Sequence, residues 1–174
     1  MSVNLSNSNV AAINEGYKMS RTKQVGNGNF VVDTFAAQTQ EHARTPNNSV
    51  YFHGNVLFSY GNHYVIAKLD GKTALVNSTD SSITTNKYAH AASLTLQGSY
   101  AVISVANPMA SSPAEHDANM DDLKERLSVI QGLRSRARSD RIKSIHLDNA
   151  QRLESMIRDY YDYVADNKPE FAAA

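Results

Sequence analysis

The sequence predicts an α+β protein: a small, mostly antiparallel β-sheet with a short helix, followed by a C-terminal α-helical hairpin. Three observations predict it. Between Val50 and Val76, short apolar runs alternate with Gly-Asn and Asp-Gly turn signals. From Met120 to Val164, apolar residues recur at spacings of three and four. Between these regions, Ser112-Pro113-Ala114-Glu115 has the composition of a helix start: a hydroxyl cap, proline in the first turn and a glutamate placed to close a capping box.

Taken in order, residues 1–28 are rich in Ser, Asn and Gly and read as a polar arm. Gly26-Asn27-Gly28-Asn29 marks a tight turn, because Gly and Asn tolerate positive φ. Asn29–Phe35 then reads as a strand, and residues 36–49, with Pro46, as a loop that could include a short helical turn. Val50, Phe52, Val56, Phe58 and Tyr60 alternate with other residues as in a half-buried strand, with Gly54-Asn55 as a bulge or a dividing turn. Gly61-Asn62 predicts a hairpin turn into Tyr64–Leu69, and Asp70-Gly71 a two-residue type I′ loop into Thr73–Val76. After a polar loop over residues 77–82, Thr84 or Thr85 is expected to cap a short helix through about Ser93. Tyr100–Val105 reads as the last strand of a β-rich unit over 29–107, ended by Asn107-Pro108.

The helical unit is expected over 112–167, followed by a tail at 168–174. Its apolar phase breaks between Gly132 and Asp140, which predicts two helices, near 113–133 and 141–166. A single helix of that span would run about 80 Å, too long for so small a sheet. One long helix used for dimerisation is the competing arrangement.

Composition narrows the function classes. Hydrophobic residues make up 41% of the 174 residues and charged residues 20%, as in a soluble globular chain. Seventeen basic and seventeen acidic side chains cancel, so no whole-chain field steers the protein to nucleic acid or an anionic membrane. The absence of cysteine removes disulfides, thiolate metal sites and a thiol nucleophile. The N-terminus has neither the basic nor the apolar region of a secretory signal, and no apolar run reaches the roughly 18 residues of a membrane span. No membrane partner and no cofactor are expected.

Three groups of residues are candidates for contact with a partner. Arg134, Arg136, Arg138, Arg141 and Lys143 form the one concentrated basic run, suited to a polyanion through guanidinium forks. Residues 114–168 hold ten basic and eleven acidic side chains, so internal pairing with acids such as Asp121, Asp122, Glu125 and Asp148 is the alternative. Tyr51, Tyr60, Tyr64 and Tyr88 lie in or beside the β-region and are candidate aromatic contacts, able to stack on unpaired bases or simply to pack the sheet. Ile157, Tyr160, Tyr161 and Val164 cluster late in the last helix and are candidates for self-association. The histidines, His42, His53, His63, His90, His116 and His146, show no helical pair at zinc-site spacing. No Gly-x-Ser-x-Gly elbow and no Walker loop occurs, and no catalytic or metal-binding residue is assigned.

His53-Gly54-Asn55, then Val76-Asn77-Ser78 and Ile83-Thr84-Thr85-Asn86-Lys87, resemble the signature of a small uncharacterised domain family common in bacteriophage genomes. The match spans Tyr51 to Lys87. Asp80-Ser81-Ser82 replaces the family's Gly-aromatic pair, and Asn86 stands between Thr85 and Lys87. The resemblance implies a phage-encoded accessory protein and no particular reaction. The leading expectation is therefore a non-enzymatic accessory protein in the cytoplasm of an infected host cell, binding a host or phage macromolecule and self-associating through its helical region. A virion structural or decoration protein and a single-stranded nucleic-acid binder are the alternatives.

Overall fold

The computed structural model describes residues 23–61 and 64–167. Most of the expected polar arm, the expected tail, Asn62 and His63 lie outside the described residues. The elements run α1 (Gly28–Ala37), β1 (His42–Arg44), β2 (Val50–His53), β3 (Val56–Ser59), β4 (Tyr64–Asp70), β5 (Thr73–Asn77), α2 (Ile83–Leu96), β6 (Ala101–Val105), α3 (Pro113–Arg136) and α4 (Asp140–Asn167). The six strands form one sheet in sequence order. The first five pair antiparallel, whereas β6 lies parallel to β5 across the α2 crossover.

The α+β class and the C-terminal hairpin are as the sequence predicts; several local features differ. Asn29–Phe35 lies in a helix, not a strand. Asn27 caps it by accepting a hydrogen bond from the Phe30 amide, and Val31, Val32 and Phe35 share one buried face. Gly26 and Gly28 are there for space rather than for a turn. A Cβ at Gly28 would collide with the Tyr88 ring, and one at Gly26 with Phe30. Residues 36–49 are not wholly loop: His42–Arg44 pairs with β2. Residues 24–26 of the expected arm lie along β1, with Val25 bridged to Arg44.

Gly54-Asn55 divides Val50–Tyr60 into two strands, since His53 pairs with Val56. That turn changes which residues point inward. Val50 and Phe52 are buried on β2, but Leu57 and Ser59 on β3, leaving Val56 and Phe58 on the opposite face. At the β4–β5 hairpin Asp70 pairs with Thr73, so the loop is Gly71-Lys72. Only Gly71 has positive φ there, the pattern of a type II′ rather than a type I′ turn. The α2 helix is capped by Ser82, not Thr84 or Thr85, and extends to Leu96.

The two helix pairs pack on opposite faces of the sheet. Under α1 and α2, Val31, Phe35, Phe52, Leu57, Ile66 and Leu96 form one core. Ile66 is an extra residue in β4, because Leu57 pairs with Ala67 but Phe58 with Val65. This bulge turns both Ile66 and Ala67 into the same core. On the other face, α3 and α4 cover β5 and β6, where Leu75, Ile103 and Val105 meet Leu123, Leu153 and Tyr160. No described element covers that second face over β1 to β4.

Candidate functional site

The residues of the phage-like signature mainly build the scaffold. Gly54 adopts φ +55° in the β2–β3 turn, and Asn55 donates to the Leu69 carbonyl at 2.7 Å. Asn77 donates to the Val65 carbonyl and accepts from the Thr79 amide and hydroxyl. Buried Thr85 joins β3 to the α2 cap through the Ser59 and Ser82 hydroxyls, at 2.9 and 3.0 Å. These contacts fix turns and caps.

The basic run falls at the far end of the helical hairpin. Helix α3 starts in a complete capping box: Ser112 accepts from the Glu115 amide, and the Glu115 carboxylate accepts from the Ser111 and Ser112 amides. Those amides hold the carboxyl below the usual carboxylate range. Leu123 is the last fully buried residue of α3, and Ala150 the first buried residue of α4. From Leu123 to Arg136, α3 covers about 20 Å, so the hairpin end stands clear of the sheet core. Arg134 and Lys143 come together there around a cavity of about 330 Å³. Lys143 pairs with Asp140 at 3.3 Å, and the Arg136 guanidinium donates to the Gly132 carbonyl. Arg138 and Arg141 are exposed. Among the described residues, only Lys143 of this cluster has a carboxylate within ion-pair distance. Four half-exposed aliphatic side chains lie on the same stretch of the two helices: Val129 (55%), which lines a groove with Glu125 and Arg126, and Leu133 (42%), Ile142 (43%) and Ile145 (44%).

The candidate tyrosines separate. Tyr88 packs on Gly28 and Tyr64 on the α1–α2 core, with the Tyr64 hydroxyl donating to the Thr79 carbonyl. Tyr60 is exposed at the β3–β4 corner with φ +46°. Tyr51 alone lies on the uncovered sheet face, stacked on Phe58 at 5.1 Å with 15° between the rings. Partial burial pushes its phenol pKa up. Arg44, Tyr51, Phe58 and Val65 are successive cross-strand partners, as are His42, His53, Val56 and Lys68. Arg44 and Phe58 were not expected here, because β1 reads as loop and the β2–β3 turn reverses the parity of Phe58.

Ile157, Tyr160, Tyr161 and Val164 do come together, lining a groove of about 550 Å³ between α3 and α4. Tyr160 is nevertheless fully buried, so it belongs to the internal packing and is not available to a second subunit; Tyr161 is 59% exposed. Ile157 and Val164 pack in part against the α3–α4 core. The Tyr160 hydroxyl meets His116 Nδ1 at 2.7 Å and accepts from Asn119 Nδ2 at 2.8 Å. Asn119 also accepts from the Asn107 amide and donates to the Asn107 carbonyl. Tyr163 donates to Asp70 at 2.8 Å. Burial, then the bond to Asp70, raises the Tyr163 phenol well above its usual 10.0.

Fold and surfaces define a layered α+β protein whose concentrated basic run lies at the end of a helical hairpin. Comparison with known proteins finds no match: no family model, no curated protein and no solved structure. No helix among the described residues is long and apolar enough to cross a membrane.

Proposed function

We propose that the protein is a non-enzymatic, phage-encoded accessory protein that binds a host or phage protein through the end of its α3–α4 hairpin. The observation that carries this reading is the exposure of Leu133 and Ile142, chain neighbours of Arg134, Arg141 and Lys143 on the two sides of the hairpin turn. Exposed aliphatic side chains grouped at the end of a projecting element mark a docking surface more often than scattered single ones do. The surrounding cations suit a partner with an apolar centre and an acidic rim, which they would also steer during encounter. Self-association through this surface is opposed by its like charge. Self-association through the α4 groove rests on Tyr161, with Ile157 and Val164 only in part accessible.

The test is affinity capture from infected cells with the full chain, comparing the native protein with Leu133→Asp and Ile142→Asp. The expected result is one stoichiometric partner, lost in both variants while the thermal midpoint is kept. Equal capture by the native protein and both variants overturns the hairpin assignment. Stoichiometric recovery of the chain in purified particles would instead favour a virion protein.

A further inference from the structure

The antiparallel pairing of β1 with β2 sets two histidines directly opposite each other: His42 and His53 are register partners. The kind of pair they form follows from the hydrogen bonds on either side. The Thr45 amide donates to the Val50 carbonyl, and the Gly54 amide to the Glu41 carbonyl. Thr45–Val50 and Glu41–Gly54 are thus hydrogen-bonded pairs. Because the ladder alternates, His42–His53 is a non-hydrogen-bonded pair. Such partners have Cα atoms only about 4.5 Å apart, the closest approach that antiparallel strands offer their side chains. Ala43 and Phe52 between these positions are buried under α1 and α2, so both histidines stand on the opposite, uncovered face. Both are exposed and line the same open cavity. Among the described residues, neither imidazole makes a hydrogen bond or an ion pair.

We infer that His42 and His53 form a cross-strand chelate for a divalent cation of the Zn²⁺, Ni²⁺ or Cu²⁺ class. Imidazole suits these ions, and metal–nitrogen bonds of about 2.0–2.1 Å let two rings of one close pair meet at a single ion. Strand pairing here brings about the convergence that a helix achieves with two histidines one turn apart. Among the described residues, no group of three or more His, Asp or Glu side chains converges on such a point. The chain therefore supplies two nitrogens, and water fills the other positions. Nearby cations oppose the ion only weakly. Arg44 shares the face, but its guanidinium donates to the Thr45 and Pro46 carbonyls and to Asn48, which hold it at the β1–β2 turn. Lys68 continues the row of His53, with Val56 between them. It is two strand spacings away, about 10 Å, a distance over which salt screens exposed charges. An ion held by the pair would clip the three-residue strand β1 to its neighbour.

This site is independent of the hairpin end, and its test needs no partner. Zn²⁺ is titrated into the full chain, free of any histidine tag, by isothermal calorimetry, with the imidazole signals followed by NMR. Expected is one ion per chain, with the His42 and His53 rings shifting and those of His90 and His146 unmoved. Cu²⁺ should bind more tightly than Ni²⁺ or Zn²⁺. His42→Ala and His53→Ala should each weaken zinc binding at least roughly tenfold, the loss that changing even an outer partner of a metal ligand causes. Zinc should also slow hydrogen exchange at the Thr45 and Gly54 amides, which belong to the ladder the ion would clip. A dissociation constant above about 1 mM overturns the proposal, as does full binding by either folded variant. Loss of binding on His90→Ala or His146→Ala, with both sheet variants binding normally, would place the ion elsewhere and equally overturn it.

Discussion

Replacing Asn119 by alanine should cost far more than a typical polar substitution, because one buried amide joins three segments. Its Oδ1 accepts from the Asn107 amide at 2.8 Å, and its Nδ2 donates to the Asn107 carbonyl and the Tyr160 hydroxyl, both at 2.8 Å. The β6–α3 connection, α3 and α4 are thus held together by a single side chain. Each bond contributes about 0.5–1.5 kcal/mol net, and a buried group left without its partner costs about 1–3 kcal/mol. The two Asn107 groups are only partly buried, so water can recover part of their loss. A total near 3 kcal/mol follows for Asn119→Ala. With a urea slope of about 2 kcal/mol per molar, the midpoint should fall by about 1.5 M. The thermal midpoint should fall by about 6–12 °C. Equilibrium urea unfolding followed by far-UV circular dichroism measures the first quantity. A double-mutant cycle with Tyr160→Phe should return a coupling of at least about 0.5 kcal/mol, as expected of directly bonded side chains. A loss below about 1 kcal/mol for Asn119→Ala, or strict additivity with Tyr160→Phe, would refute the clamp.

Other changes test the rest of the architecture. Gly28→Ala should destabilise by about 1–3 kcal/mol through overpacking against Tyr88, and a thermal melt of the variant should show it. Tyr163 is held protonated above its usual 10.0 by burial and by Asp70. The unfolded chain therefore ionises first, so stability should fall as pH rises above that value toward the folded pKa. Tyr163→Phe should lose part of that alkaline slope in urea melts repeated across pH. Glu115, whose pKa is lowered, should contribute stability above the ordinary carboxylate range and lose it as pH falls through the lowered value. Glu115→Gln should correspondingly flatten the acid limb.

How much was legible depended on how long each pattern persists. Met120 to Val164 carries enough turns at helical spacing, with a capping box before it, to define two helices and their break. Phe30-Val31-Val32 and Phe35 are too few to separate the two periodicities, and their β propensity suggested a strand. The Asn27 cap and the tight Gly28–Tyr88 contact decide for a helix. The parallel placement of β6 was not readable from Tyr100–Val105, whose composition suits either direction. Of the candidate basic residues, Arg134 and Lys143 come together at one cavity, where the two helices turn back. The tyrosines did not, because a two-residue turn and a bulge decide which face each occupies, and neither shift is visible in alternation alone. Arg44 and Phe58 joined Tyr51 only once strand register was known.

The placement of α3 and α4 on the same face as Tyr51 has a steric consequence. Leu75 and Ile103 beneath those helices continue the cross-strand row that begins at His42, His53, Val56 and Lys68. The sheet surface is therefore a floor, and the helices, about 10 Å across, stand on it as a wall, with the Tyr163–Asp70 bond at the foot. The uncovered floor over β1 to β4 is therefore bounded on its β5 side. The Tyr163 end of α4 that meets this floor lies 23 residues, about 35 Å, from the hairpin end at Asp140, so the two exposed surfaces are far apart.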